Sequence, residues 1–199
     1  MVSVTEFHCL VQEYVARFTE LIFPRPTVCP DCHAVDVFIG HGFYLRKPVS
    51  STQVHRLWIK RWYCKACHHT LSLLPSFLLR FRHYLLEVIQ SVVVARFEDN
   101  ASWTQVSLRC AVEGLPSPRT IRRWCVSFAA HAPAWWAAVQ QTLAHHDASS
   151  PALNPLGENT GPHDAPRAVL QAALHLLAWA KTRWAEVRDY GRNDRLRFL

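Results

Sequence analysis

The sequence predicts a mainly α protein that carries one small β zinc ribbon. Three observations predict it. Two Cys-x-x-Cys pairs enclose the clearest alternating stretch of the chain, apolar residues at 3/4 spacing recur on both sides of that stretch, and a Pro-, Gly- and Ser-rich segment sets a last apolar helix apart. The expected order is an N-terminal helix (1–26), a zinc ribbon (27–78), a helix-turn-helix-like helical domain (79–146), a linker (147–166), and a C-terminal helix with its tail (167–199).

Composition sets the frame for these elements. At 199 residues and 50% hydrophobic content the chain can bury a core, which excludes wholesale disorder. The length leaves little room for separate cofactor and substrate domains. The richest apolar run, Val169 to Ala180, is broken by Gln171 and His175 and falls short of a membrane span of about 18 uninterrupted apolar residues. Glu6, Glu13 and Arg17 interrupt the N-terminus, which does not read as a signal peptide. A soluble, cytoplasmic protein is therefore expected. The net charge of +7 is unevenly placed: residues 41–130 hold thirteen basic and four acidic side chains. A positive field confined to the middle of the chain suits a polyanion, and nucleic acid first.

The N-terminal helix is expected over residues 3–21, because Leu10, Val11, Tyr14, Val15, Phe18 and Leu21 follow helical spacing and Pro24 and Pro26 close the segment. The ribbon follows. Four of the seven cysteines fall as Cys29-Pro30-Asp31-Cys32 and Cys64-Lys65-Ala66-Cys67. A two-residue gap lets both sulfurs of a tight turn reach one ion, and two such knuckles complete the tetrahedron that zinc prefers. The spacer supplies a hairpin, roughly Val37–Leu45 and Val54–Tyr63 about a turn near Pro48–Ser51, that returns the chain to the metal. One structural zinc on Cys29, Cys32, Cys64 and Cys67 is the expected cofactor, supplying much of the folding energy of so small a sheet. The competing readings are c-type haem attachment, since each pair is followed by His, and disulfides, a redox dithiol or iron–sulfur ligation. His33, His68 and His69 are expected beside the site and not as ligands. Cys9, Cys110 and Cys125 read as small buried apolar residues.

From Leu79 to about His146 the chain reads helical throughout. A first helix over about 81–97 points Leu85, Ile89, Val92 and Val93 inward. Ser102-Trp103-Thr104-Gln105 fits the S-x-x-Q capping box and opens a short helix to about Val112. Glu113-Gly114-Leu115-Pro116 reads as a turn; Ser117 then caps and Pro118 fits the first helical position. The next helix turns Ile121, Trp124, Cys125 and Phe128 to one side, and Arg119, Arg123 and Val126, flanked by Thr120, Arg122 and Ser127, to the other. Two helices joined by a Gly-containing turn, the second basic from its first turn, form a helix-turn-helix pattern. Arg119, Thr120 and Arg123 are the expected readers of base edges. Ser117 stands at the helix start, and Arg122 with Arg56, Lys60 and Arg61 of the ribbon is expected on phosphates. An ordinary helical bundle with a solvated Arg face is the competing reading. In the last helix Leu170, Ala173, Leu177, Ala180, Trp184 and Val187 step by three and four. That rhythm offers a homodimer seam over 167–188, and the competing reading docks the helix on its own chain.

The run from Cys29 to about Ala130 resembles a known arrangement. CPDC, HGFYLRKP, HRLWIKRWYCKACHHTLSLLPSFLL and the SPRTIRRW helix are similar to the zinc-ribbon plus helix-turn-helix modules of bacterial insertion-sequence transposases. They are more similar still to an actinobacterial domain of unknown function with the signature C-x-x-C-x-x-T-x-S-L-L-P-S-F-L-L. The Cys pairs, Thr70 and the Leu73-Leu74-Pro75-Ser76-Phe77 run carry that similarity. The resemblance implies zinc on the four cysteines and DNA binding by the 117–130 helix. Those relatives carry Gly after each Cys pair, where His33 and His68 stand here; Gly tolerates φ > 0, and His adopts it less readily.

A transposase needs a carboxylate triad on a ribonuclease-H-like sheet, and after Tyr63 the sequence shows no strand run to seat one. No phosphate-binding Gly loop, G-x-S-x-G or H-E-x-x-H motif is present. The expected function is therefore that of a non-catalytic double-stranded DNA-binding protein, nucleoid-associated when bound. It is either a mobile-element accessory that partners a transposase or recombinase, or a transcriptional regulator. The alternative is a zinc-stabilised adaptor that binds protein.

Overall fold

The computed structural model describes residues 2–5, 10–110, 116–150, 153 and 164–187. The chain divides into two compact units, Met1–Leu85 and Leu86–Leu199. The first is built on a small sheet and the second on helices. Among the described residues no helix is long and apolar enough to cross a membrane.

The first unit holds β1 (Val2–Thr5), α1 (Val11–Ala16), β2 (Phe38–Arg46), β3 (Leu57–Cys64) and β4 (Thr70–Pro75). The sheet order is β1-β4-β3-β2. The expected hairpin is β2–β3, antiparallel from Phe38 opposite Cys64 to Arg46 opposite Leu57. One extra residue bulges from β2 between Gly40 and Phe43, where Gly42 takes φ 68°. Ser50, 3% exposed, organises the connecting turn. Its Oγ accepts from the N–H groups of Thr52 (3.2 Å) and Gln53 (3.1 Å).

Two expectations are corrected here. The N-terminal helix over 3–21 reduces to α1 and a 3-10 turn at Phe18–Glu20, and residues 2–5 instead form a strand parallel to β4. The β-branched residues of Val2-Ser3-Val4-Thr5 fit a strand, and pairing them occupies β4's otherwise open edge. There is also a strand after Tyr63: β4 pairs antiparallel with β3, Tyr63 opposite Thr70. Flanked on both sides, β4 is buried continuously from Leu71 to Pro75. Such a run lacks alternation and cannot be told from a buried helix by periodicity. Helix α1 docks through Tyr14, which is fully buried and donates its hydroxyl to the carbonyl of Trp58 at 2.9 Å.

Helix does not begin at 79–81 either. Residues 78–85 fold back on the turn after β2: the N–H of Val49 donates to His83 and that of Leu85 donates to Val49. Phe81 sits at φ 58°. These pairings use backbone groups that a helical turn would need, so α2 is Leu86–Phe97. It ends with Asn100 at φ 52°, while the N–H of Ala101 reaches the carbonyl of Ala95.

The second unit continues with α3 (Trp103–Cys110), α4 (Pro118–His146) and α5 (Ala165–Lys181). The Ser102–Gln105 capping box forms as expected: Ser102 N–H donates to Gln105 Oε1 at 2.8 Å, and Gln105 N–H to Ser102 Oγ at 3.3 Å. Residues 111–115, with most of the expected turn, lie outside the described residues. α4 is longer than the expected 117–130 helix, because its apolar rhythm continues through Ala132, Val139 and Leu143. α5 covers that stripe. Phe128 and Ala132 pack with Ala165, Val169 and Leu170, and Val139 and Leu143 pack with Ala172 and Leu176. Contacts that rise together along both helices mean that α4 and α5 run parallel. The rhythm offered as a dimer seam is used inside the chain: Leu170, Ala173, Leu177 and Ala180 are all buried, although Trp184 stays exposed. Within the expected linker, Leu153 packs beside the second cluster and its carbonyl accepts from Gln140 Nε2 at 2.8 Å. Residues 151, 152 and 154–163 of the linker lie outside the described residues.

Candidate metal centre and basic helix face

Each Cys pair closes a turn of the same construction. The N–H of His33 donates to the carbonyl of Cys29 at 2.9 Å, and that of His68 to Cys64 at 3.0 Å. The N–H of Cys29 donates to Ala34, and that of Cys64 to His69, both at 2.9 Å. Turning so sharply requires a left-handed residue just past the second cysteine, and His33 (φ 58°) and His68 (φ 62°) both adopt it. Cys64 is the last residue of β3, and the N–H of Lys65 donates to Val37 just ahead of β2, so the sheet itself fixes one turn against the other.

The four sulfurs converge. Cys29 Sγ lies 3.8 Å from Cys67 Sγ, Cys32 Sγ lies 3.7 Å from Cys64 Sγ, and all four lie within 4.8 Å of one another. A disulfide needs about 2.05 Å, and all four thiols are free. A tetrahedral site with metal–sulfur bonds of about 2.3 Å has sulfur–sulfur edges of about 3.8 Å. The donor set therefore fits a single four-coordinate ion. Cys29 and Cys64 are buried among Phe38, Leu71 and Leu73, while Cys32 faces solvent.

Proton sharing points the same way. Burial opposes ionisation of Cys64, but backbone N–H groups of Cys67 and Ala66 and the neighbouring thiols outweigh it and lower its pKa to about 7. Cys67 is pushed up to about 12: a backbone hydrogen bond at His69 lowers it, and burial with the Cys64, Cys32 and Cys29 thiols more than offsets that. Cys32 is raised as well, its hydrogen bond from Ala34 outweighed by burial and its sulfur neighbours. Four thiolates this close require a cation between them.

The histidines stand beside the sulfurs. His69 Nδ1 pairs with the Asp31 carboxylate across the two turns, and His68 Nδ1 hydrogen-bonds the Tyr63 hydroxyl at 2.7 Å. Asp31 and His69 also lie close to Cys67. Neither pairing was foreseen from the sequence, although Asp31 and His69 stand in or next to the two cysteine motifs. Cys125 is 1% exposed, as expected of a buried apolar residue, and Cys9 and the side chain of Cys110 lie outside the described residues.

In the second unit Ser117 caps α4, its Oγ accepting from the N–H of Thr120 at 3.4 Å, with Pro118 in the first turn. Ile121, Trp124, Cys125 and Phe128 are buried. Arg119, Arg122 and Arg123 are exposed on the other side, and the Thr120 hydroxyl is shared with Ser117 at 3.0 Å. The ribbon cations are arranged differently. Arg56 is exposed, Lys60 lies over Phe43 (4.6 Å) and Trp62 (5.0 Å), and Arg61 lies over Tyr44 (5.6 Å). Strand alternation puts Lys60 and Arg61 on opposite faces of β3.

These features define a protein with a four-cysteine, metal-competent sheet unit followed by a helical unit with a basic helix start. Residues 29–124, from the first cysteine of the cluster to Trp124 of α4, match the profile of a domain of unknown function, DUF6431. No curated protein and no solved structure matches the chain.

Proposed function

We propose that this is a non-catalytic, zinc-dependent double-stranded DNA-binding protein, in which the first unit is a zinc ribbon and α3–α4 a helix-turn-helix. The observation that carries this reading is the division of α4's first turns. Ile121, Trp124 and Cys125 are buried, while Arg119, Arg122 and Arg123 are exposed on the opposite face behind the Ser117 cap. A rigid helix start with outward arginines suits a major groove, where Arg pairs with guanine and Thr can meet a thymine methyl. The zinc, when bound, supplies a structural cross-link. Cys29, Cys32, Cys64 and Cys67 hold it, and His69 and Asp31 brace the two knuckles. Arg56 and Lys60 share a face of the ribbon that suits phosphates. The resemblance to transposase modules supports a mobile-element accessory that partners a transposase or recombinase, or a transcriptional regulator. Either acts in the cytoplasm at the nucleoid.

Binding to duplexes at moderate salt tests the reading. Arg119→Ala with Arg123→Ala is expected to lose at least tenfold in affinity, since each good base contact contributes about 1–3 kcal/mol. Unchanged affinity overturns the DNA reading in favour of a protein-binding adaptor. The exposure of Leu108 (75%) and Val126 (67%) on the same helix pair is the observation that favours the adaptor.

A further inference from the structure

Trp103, the first residue of α3, is held between two guanidinium groups. Arg96 lies 4.7 Å and Arg122 5.4 Å from its ring centre. Arg96 is also tied to the carbonyl of Ala101 at 3.1 Å. Beside this stack, between the first turns of α3 and α4, opens a cavity of about 530 Å³ lined by Trp103, Thr104, Ser107, Pro118, Arg119 and Arg122. Among the described residues the lining contains no carboxylate, and none pairs with Arg119 or Arg122. Arg109, by contrast, is engaged by Asp99 at 2.8 Å. Both helix starts are already capped by Ser102 and Ser117, so the cavity's polarity comes from its side chains.

We propose that this cavity seats a phosphodiester group of the DNA backbone. The inference rests on the DNA-binding reading and deepens it. Arg119 and Arg122 neutralise the phosphate, and the hydroxyls of Thr104 and Ser107 donate to its free oxygens. Trp103 is a positioning residue: its ring face holds the Arg122 guanidinium in one plane, so less freedom is lost when the fork engages an oxygen pair. The volume admits the phosphate together with its flanking sugars. Arg119 thereby moves from base reader to backbone anchor, leaving Thr120 and Arg123 to face base edges. Loss of Arg119 then weakens all sequences alike.

The test is binding of the full chain to a pool of random-sequence duplexes over a salt series. Circular dichroism of each variant checks its folding. Neutralising one phosphate contact should reduce the slope of log affinity against log salt by about 1. Arg122→Ala and Arg119→Ala are each expected to show that loss. Thr104→Ala with Ser107→Ala should lower affinity severalfold at an unchanged slope, because no charge is removed. Trp103→Leu should reproduce part of the Arg122→Ala slope change and Trp103→Phe restore it, which a merely structural role would not do. Arg109→Ala should leave the slope as it was. If Arg119→Ala and Arg122→Ala keep the wild-type slope while Arg123→Ala weakens binding, the phosphate seat is overturned and the DNA reading stands. If the wild-type chain binds no duplex even at low salt, both fall.

Discussion

His33 and His68 occupy the same place in two separate turns, each one residue past a second cysteine and each left-handed, at φ 58° and 62°. It is the turn that demands the conformation, and each imidazole is exposed. A left-handed non-Gly residue costs on the order of 1 kcal/mol or more. His33→Gly is therefore expected to stabilise the first unit by about 1 kcal/mol. His68→Gly should give less, because it loses the hydrogen bond to Tyr63. His33→Val should destabilise. Chelator or thermal titrations of the metal-loaded protein measure all three.

Metal content follows from the sulfur geometry. Purified protein is expected to hold one zinc per chain by elemental analysis, and Cys64→Ser to lose it, whereas Cys125→Ser, in the helical unit, keeps it. Chelation should abolish the near-ultraviolet signal of the first unit and leave most of the helical signal, because the helices cluster in the second unit.

Acid should release the metal, with a sign set by the thiols. Cys67, pushed up to about 12, and Cys32, raised above its ordinary value, both hold protons at pH 7 in the metal-free state, and Cys64, at about 7, holds one half the time. A bound cation requires thiolates, so zinc must displace those protons, and its affinity falls as pH falls. Calorimetry in buffers of different ionisation enthalpy should find at least two protons released per zinc at pH 7. Fewer than two would contradict a four-thiolate site.

The helical unit yields two further expectations. Ser117→Ala removes the α4 cap and should cost about 1 kcal/mol. Leu143→Ala leaves a hole at a residue with 0% exposure where α5 packs on α4, and should cost about 2–5 kcal/mol. Denaturant unfolding followed by the helical signal measures both.

What the sequence disclosed was local. The cysteine pairs, the Ser102–Gln105 box and the Ser117 cap each lie within a few residues, where spacing determines geometry. The buried set Ile121, Trp124, Cys125 and Phe128 likewise follows from helical period alone. What escaped depends on distant partners. Val2–Thr5 becomes a strand because β4 offers an edge some seventy residues away, as in Ser3 opposite Leu73. β4 itself, covered on both sides, shows no alternation to read. Residues 79–85 carry helical periodicity, yet Val49 takes their backbone groups. Asp31 meets His69 only once both knuckles have formed.

The parallel run of α4 and α5 has a consequence for synthesis on the ribosome. To start α5 beside Phe128 and Ala132, the chain must travel back about 24 Å from the end of α4 at 1.5 Å per residue. Residues 147–164 reach about 60 Å when extended and so have slack for the return. Until they and α5 have emerged, the finished α4 presents Val139 and Leu143 uncovered. A nascent chain paused at this stage is a client for holding chaperones, and a message truncated after His146 yields a product that binds hydrophobic dyes and aggregates where the full chain does not.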